Sequence, residues 1–109
     1  MTTHPKLTYV SEHAALRLLD RWPMSGEKGK RPRTLEEARA WIESAWERAE
    51  PEGKLPWRIA LHLTKRMLLH PGATFWRVGA WRFVFKEDGA VASIELWHPD
   101  LNMKAERAR

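Results

Sequence analysis

Residues 81–97 read WRFVFKEDGAVASIELW, and this stretch does more than any other to determine the fold. Apolar residues alternate on both sides of Asp88-Gly89, a dipeptide typical of two-residue hairpin turns in which both positions take a positive φ. The turn predicts three apolar cross-strand pairs on one face: Phe85 with Ala92, Phe83 with Ile94, and Trp81 with Leu96. On the other face it sets Arg82 opposite Glu95, a favourable pair of opposite charges. We therefore predict an antiparallel hairpin in this register.

A short strand and a first helix are predicted upstream of the hairpin. Residues 6–10 are β-prone, and Ser11 is a suitable N-cap for a helix from His13 to about Trp22. Pro23 is expected to end this helix. Its apolar residues recur at the spacing of one buried face: Ala14, Ala15, Leu18, Leu19 and Trp22.

The second helix begins with the capping-box pattern of Thr34 to Glu37, in which Thr34 accepts from the Glu37 amide and Glu37 reaches back. Residues 51–53, Pro-Glu-Gly, are expected to end it. Its apolar face comprises Leu35, Ala38, Trp41, Ile42, Ala45, Trp46 and Ala49. Pro56 favours a third helix over about 57–69, with a strand over 58–63 as the alternative.

The elements together predict an α+β fold, in which two or three helices pack on one face of a small antiparallel sheet ending in a hairpin. A further strand is expected over 75–78, with Gly79 as its turn. The chain of 109 residues fits a single domain over residues 6–100. Residues 23–33 are expected to form a flexible basic loop, and residues 101–109 a basic tail.

Composition excludes several classes of protein. There is no cysteine, so disulfide scaffolds are excluded, and no apolar run approaches the roughly 20 residues that cross a bilayer. The N-terminus has no secretory pattern, so a cytoplasmic location without membrane association is expected. The net charge of +5 favours RNA or another anionic partner. The absence of glutamine, with Asn102 as the only asparagine, is typical of a thermophilic source, although a GC-rich genome also favours such a composition.

One candidate active site lies on the first helix, where His13, Arg17 and Arg21 follow one another at four-residue spacing. Histidine exchanges a proton near neutral pH, and guanidinium groups bind phosphate. Cleavage of RNA by acid–base catalysis needs both. The alternative is a solvated helix face, on which the arginines pair with Glu12 and Asp20.

Two further basic groups are candidates for binding nucleic acid. The loop carries Lys28, Lys30, Arg31 and Arg33, and the predicted third helix carries Arg58, His62, Lys65, Arg66 and His70 in one stripe. Basic side chains in such arrangements contact phosphates without reading bases. The alternatives are a disordered linker for the loop and an ordinary exposed face for the helix.

No cofactor or metal is expected. The five histidines have no metal-site spacing, and the chain has neither a phosphate-binding loop nor a dinucleotide fingerprint.

Residues 9–17, YVSEHAALR, followed by the hairpin of residues 81–97, resemble the small RelE/BrnT-like ribonuclease toxins and related proteins, many encoded by phages and mobile elements. The resemblance covers about half of the chain. It implies an active-site role for His13 and Arg17. Glu95 lies in the last strand, where relatives often have threonine, so the resemblance supports the fold more directly than catalysis.

Two function classes follow. The first is an RNA-binding protein that acts as a metal-independent ribonuclease, with His13 as acid or base and with Arg17 and Arg21 holding the phosphate. The second is a small non-catalytic protein that binds and modulates a host or partner protein, as many small phage-encoded proteins do. In the second class exposed tryptophans are the anchors, because tryptophan and arginine are enriched at binding hot spots. The oligomeric state is left open.

Overall fold

The computed structural model describes residues 4–51 and 72–96. The predicted third helix over 57–69 and the basic tail over 101–109 lie outside these residues, as does Trp97 at the end of the predicted hairpin. The elements in chain order are β1 (Tyr9–Val10), α1 (Glu12–Ser25), α2 (Leu35–Trp46), β2 (Glu50–Pro51), β3 (Thr74–Val78), β4 (Trp81–Phe85) and β5 (Ala90–Leu96).

The strands form one five-stranded sheet in the order β1-β5-β4-β3-β2. β1 runs parallel to β5, and the other neighbouring pairs are antiparallel. Both helices contribute to a single hydrophobic core with one face of this sheet. The predicted α+β class is thus confirmed.

The hairpin of β4 and β5 keeps most of the predicted register. Trp81 lies opposite Leu96, Phe83 opposite Ile94, and Arg82 opposite Glu95. Both members of the charged pair are buried, and Arg82 Nη1 donates to Glu95 Oε1 at 3.3 Å. The pairing of apolar residues across the two strands therefore specified the register correctly over most of the hairpin.

The predicted turn and the pair next to it are wrong. No residue other than glycine in the described chain has a positive φ, so Asp88 does not take the conformation that a two-residue turn requires. The Lys86 carbonyl instead accepts from the Gly89 amide at 3.0 Å, and the Lys86 amide donates to the Ala90 carbonyl at 2.9 Å. Gly89 has φ +88°, which matches a three-residue loop whose last position is left-handed.

This longer turn shifts the pairing by one residue, and a β-bulge shifts it back. Phe85 lies opposite Val91 rather than Ala92, and the register changes between Val84 and Phe85. Ala92 is the extra residue of the bulge. Because the bulge interrupts the alternation, Val91 and Ile94 both point into the core although they are three positions apart. The bulge thus places valine in the core where the regular pattern would place alanine.

Helix α1 begins as predicted and ends later than predicted. Ser11 Oγ accepts from the Ala14 amide at 3.0 Å, which is the expected N-cap. The helix continues through Pro23 to Ser25 and ends at Gly26, whose φ is +77°. Proline supplies no N–H for the carbonyl four residues earlier, which belongs to Leu19. Arg31 Nη2 donates to that carbonyl at 3.4 Å, so a side chain from the following loop replaces the missing donor.

Helix α2 also begins as predicted, with the Glu37 amide donating to Thr34 Oγ1 at 3.1 Å. It ends at Trp46, earlier than expected from Pro51, which instead lies in the two-residue edge strand β2 opposite Trp76. An edge strand tolerates proline because one side of its backbone needs no partner.

Aromatic rings fill much of the core. Trp46 stacks on Phe85 with ring centroids 4.5 Å apart and also contacts Trp76 at 5.0 Å. Trp22 and Trp81 form part of a second group with Trp41. Four of the five described tryptophans are buried, and Trp41 is partly exposed.

Candidate nucleic-acid interface

The structure brings His13 and Arg17 together on the outer side of α1. His13 is exposed, Arg17 is partly exposed, and Arg17 Nε donates to His13 Nε2 at 3.4 Å. To accept this hydrogen bond, Nε2 must carry no proton. A neutral imidazole next to a guanidinium group is chemically able to accept a proton close to a bound phosphate.

Arg21 does not continue this surface, contrary to the predicted stripe. Its side chain is 1% exposed, and its Nη1 lies 2.5 Å from Asp20 Oδ2. A spacing of eight residues on an α-helix is about 80° more than two whole turns, so the stripe rotates from the solvent side at His13 to the buried side at Arg21. Arg21 shares that buried side with Leu18. Its ion pair with Asp20 agrees with the pairing expected in the alternative interpretation, but its burial does not agree with the solvated face of that interpretation.

The loop between the helices carries the second candidate site. Lys28, Lys30, Arg31 and Arg33 are all exposed on it. A groove of about 430 Å³ runs between this loop and α2, and we call it the Trp41 groove. Its lining residues are Lys30, Arg31, Pro32, Glu37, Ala40 and Trp41. A smaller groove of about 340 Å³ shares Arg31 and Pro32 with it and adds Leu19 and Arg33.

Trp41 is held in place by the core behind it. Its ring meets Trp22 at a centroid distance of 5.5 Å and Trp81 at 5.9 Å, both in edge-to-face geometry. The Trp81 ring is itself anchored, because its Nε1 donates to Glu27 Oε1 at 3.1 Å. Edge-to-face aromatic pairs add to the stabilisation from buried area alone. Trp41 is therefore an aromatic surface whose orientation is set before any ligand binds.

The loop side of the groove is tied to both helices. Pro32 is buried, Arg31 reaches the Leu19 carbonyl of α1, and the Arg33 amide donates to Glu37 Oε2 of α2 at 3.0 Å. These contacts anchor the segment from residue 31 to residue 33. The groove therefore has the basic loop on one side and α2 with Trp41 on the other.

Four residues of the groove were not among the predicted site residues: Pro32, Glu37, Ala40 and Trp41. Trp41 was assigned to the apolar face of α2, and Glu37 to its N-terminal cap. Trp41 lies at the flank of the buried face formed by Ala38, Ile42 and Ala45, and a flanking position is the signal that could have identified it.

The remaining expectations concern the basic residues of the predicted third helix, metal sites and membrane association. The predicted binding residues Arg58, His62, Lys65 and Arg66 lie outside the described residues, as does His70. Within residues 4–51 and 72–96, no group of three or more His, Cys, Asp or Glu side chains is placed to hold a metal ion. Neither helix in the described part of the chain is long and apolar enough to cross a membrane.

Comparison of the chain with protein-family models, with curated proteins and with solved structures finds no match. What the protein binds therefore has to be inferred from the geometry of its own surface.

Proposed function

We propose that this protein binds single-stranded RNA in the Trp41 groove. The observation that supports this proposal is that the partly exposed Trp41 and the basic residues Lys30 and Arg31 line one groove. Proteins that bind single strands combine a positive groove for the backbone with aromatic rings on which bases stack. Lys30 and Arg31 supply the charge here, and Trp41 supplies the ring.

The net positive charge of the chain also favours the binding of RNA. The net charge of +5 attracts polyanions at long range, and Arg33 extends the basic rim into the smaller groove. A duplex holds its bases in a stack, so only a single strand, a loop or a bulge offers a base face to Trp41. The groove is thus better suited to single-stranded than to double-stranded RNA.

The test is the affinity of the full chain for a labelled single-stranded RNA, measured by fluorescence anisotropy between about 50 and about 200 mM salt. The double variant Lys30→Ala/Arg33→Ala removes two charges from the rim. It should reduce the slope of log affinity against log salt by about 1.4, since each phosphate contact to a single strand contributes about 0.7. Neither change removes the contacts of Arg31 or the Arg33 amide.

The matched control is Lys6→Ala/Arg48→Ala, which removes two exposed charges outside the groove. It should leave the slope near that of the wild type. Equal losses in both double variants would show that binding is general attraction to a basic protein and would overturn the proposal. An affinity that hardly changes with salt would favour a protein partner instead.

A second candidate function, cleavage of RNA, is favoured by the contact between His13 and Arg17 and by the resemblance to ribonuclease toxins. Once Arg17 Nε turns from His13 to the phosphate, the Nε2 of His13 would accept the proton of a 2′-hydroxyl, O2′ would attack phosphorus, and the 5′-oxygen would leave with a proton from water. Arg17 would hold the phosphate. A general base contributes roughly 10²–10⁴-fold in rate, so His13→Ala should lose most of the cleavage rate.

The control for cleavage is His4→Ala, which removes another exposed imidazole of the chain. Both variants are compared with the wild type on single-stranded RNA in the presence of a chelator, which suppresses metal-dependent contaminants. A wild-type protein that leaves the RNA intact would exclude cleavage and would leave the binding proposal untouched.

The alternative of a partner protein anchored by exposed tryptophans has little support from the described tryptophans. Among the tryptophans of residues 4–51 and 72–96, Trp22, Trp46, Trp76 and Trp81 are buried in the core, and only Trp41 keeps an exposed part. A buried ring contributes to folding and is not available as an anchor.

A further inference from the structure

We infer that Glu37 reads the edge of the base stacked on Trp41 and selects guanine. This inference rests on the proposed binding of single-stranded RNA in the Trp41 groove and names the base that the same groove prefers. Glu37 and Trp41 both line the groove and lie four residues apart on α2, so they are neighbours on one side of the helix.

The Glu37 carboxylate is oriented before a ligand arrives. Its Oε2 accepts from the Arg33 amide at 3.0 Å, and its own amide donates to Thr34 Oγ1 at 3.1 Å. These two hydrogen bonds fix the first turn of α2 and one oxygen of the carboxylate. A carboxylate has more acceptor sites than this one hydrogen bond uses, so Glu37 keeps acceptor capacity in the groove that Trp41 also lines.

An acidic side chain in this groove weakens the binding of phosphate, but beyond its hydrogen bond with the Arg33 amide Glu37 has acceptor capacity for donors of a ligand. A carboxylate is an acceptor only and pairs with hydrogen-bond donors. Bases carry such donors on their Watson–Crick edges, which single-stranded RNA leaves accessible. The position of Glu37 beside the Trp41 ring is that of a group reading the edge of a stacked base.

The pattern of donors distinguishes the four bases. The Watson–Crick edge of guanine presents the N1–H and N2–H donors side by side, which matches the two oxygens of a carboxylate. Uracil presents one donor between two carbonyl oxygens, and those oxygens would face the carboxylate. Adenine and cytosine each present an amino group next to a ring nitrogen acceptor. Guanine is thus the base with two donors and no opposing acceptor at the contact.

The experiment measures the affinity of the full chain for short labelled RNAs of about six nucleotides, a length within the range of small single-strand sites. One RNA contains only uridine, and the others carry a central guanosine, inosine or adenosine. The wild type should bind the guanosine RNA about tenfold more tightly than the all-uridine RNA, by analogy with the discrimination of a bidentate base contact. Inosine lacks the N2 amino group and should give an intermediate affinity.

The decisive variant is Glu37→Gln, whose amide oxygen retains an acceptor for Arg33. It should abolish the preference for guanosine, while binding of the all-uridine RNA stays the same or becomes tighter because a negative charge is removed. The matched control is Glu36→Gln, which removes the same charge from the neighbouring exposed residue outside the groove and should keep the preference. Thermal unfolding of both variants checks that α2 is intact.

The outcomes separate this inference from the proposed function. Equal wild-type affinity for all of the RNAs would overturn the role of Glu37 and leave RNA binding in the groove standing. A Glu37→Gln variant that keeps the guanosine preference, or that loses affinity equally for every RNA, would also overturn it. If the wild type binds none of the RNAs, the proposed function itself fails, and the inference fails with it.

Discussion

Ser11 connects three segments of the chain through one side chain and one amide. Its hydroxyl accepts from the Ala14 amide and donates to the Ala92 carbonyl at 2.7 Å, and its amide donates to the Val91 carbonyl at 3.0 Å. The Ala92 carbonyl belongs to the β-bulge, where the regular ladder is interrupted. The N-cap of α1 therefore also supplies a donor to the irregular point of β5.

We predict that Ser11→Ala lowers the free energy of unfolding by about 1–3 kcal/mol, because it removes a helix cap and also leaves a partly buried carbonyl without this donor. Thr34→Ala is the control, since it removes a cap alone and should cost about 1 kcal/mol. Both values come from urea unfolding. Equal costs for the two variants would mean that the contact with the bulge contributes nothing.

Gly89 combines a left-handed backbone with a crowded position. A Cβ at this residue would lie 1.8 Å from Thr8 Oγ1, whereas a Cβ at Gly26, which is also left-handed, would meet nothing within 4 Å. We predict that Gly26→Ala costs about 1–2 kcal/mol for its backbone conformation alone. Gly89→Ala should cost clearly more, because Thr8 must also move away from the turn.

The measurement is again urea unfolding, and Thr8→Ala provides a second comparison. In the Thr8→Ala background the cost of Gly89→Ala should fall towards that of Gly26→Ala, since the clashing oxygen is gone. A cost of Gly89→Ala that does not depend on Thr8 would contradict the explanation.

At the scale of elements, the last turn of α1 depends on the loop that follows it. Pro23 provides no N–H to the Leu19 carbonyl, and Arg31 donates to that carbonyl instead. The same arginine lines the Trp41 groove. The end of a helix and the rim of the candidate site thus share one side chain.

We predict that Pro23→Ala stabilises the fold, because alanine restores an N–H in the last turn and has a higher helix propensity. Arg31→Ala should cost about 0.5–1.5 kcal/mol in the wild type and less in the Pro23→Ala background, where Leu19 has a backbone donor. A double-mutant cycle measures this coupling. Strictly additive effects would show that Arg31 does not replace the missing backbone donor.

At the scale of the whole molecule, the tryptophans serve two purposes. Trp46 is 2% exposed and is packed between Trp76 and Phe85, and its Nε1 donates to the Pro5 carbonyl at 3.0 Å. Trp41 sits at the edge of the same core with part of its ring in the groove. The apolar pattern of α2 alone predicts equal stability costs for truncating the two rings, and the structure separates them.

We predict that Trp46→Ala lowers the free energy of unfolding by about 3–5 kcal/mol, as expected for a large buried ring. Trp41→Ala should cost less than Trp46→Ala and should also weaken the binding of single-stranded RNA by about 1–3 kcal/mol, the range for one stacked base. Trp41→Phe keeps an aromatic ring and should retain most of that affinity. An unchanged affinity in Trp41→Ala would remove the ring from the binding site.

The features that could be predicted from the sequence are those that depend on neighbouring residues. The N-caps at Ser11 and Thr34 act within three residues, and the alternation of apolar residues along β4 defines its two faces without reference to the rest of the chain. The register of Phe83 with Ile94 follows from matching two such patterns. The α+β class and the basic loop with Lys30 and Arg31 were therefore predictable.

The tertiary structure alone decided which side chains are covered and which remain at the surface. Arg21 is buried and Trp41 is partly exposed, although local spacing assigned the first to an exposed stripe and the second to the core. Likewise, the bulge at Ala92 coincides with a hydrogen bond from Ser11, which lies 81 positions away in the chain. The physical reason is that burial and such hydrogen bonds depend on which distant segments pack together, and a local pattern holds no information about the elements that will cover it.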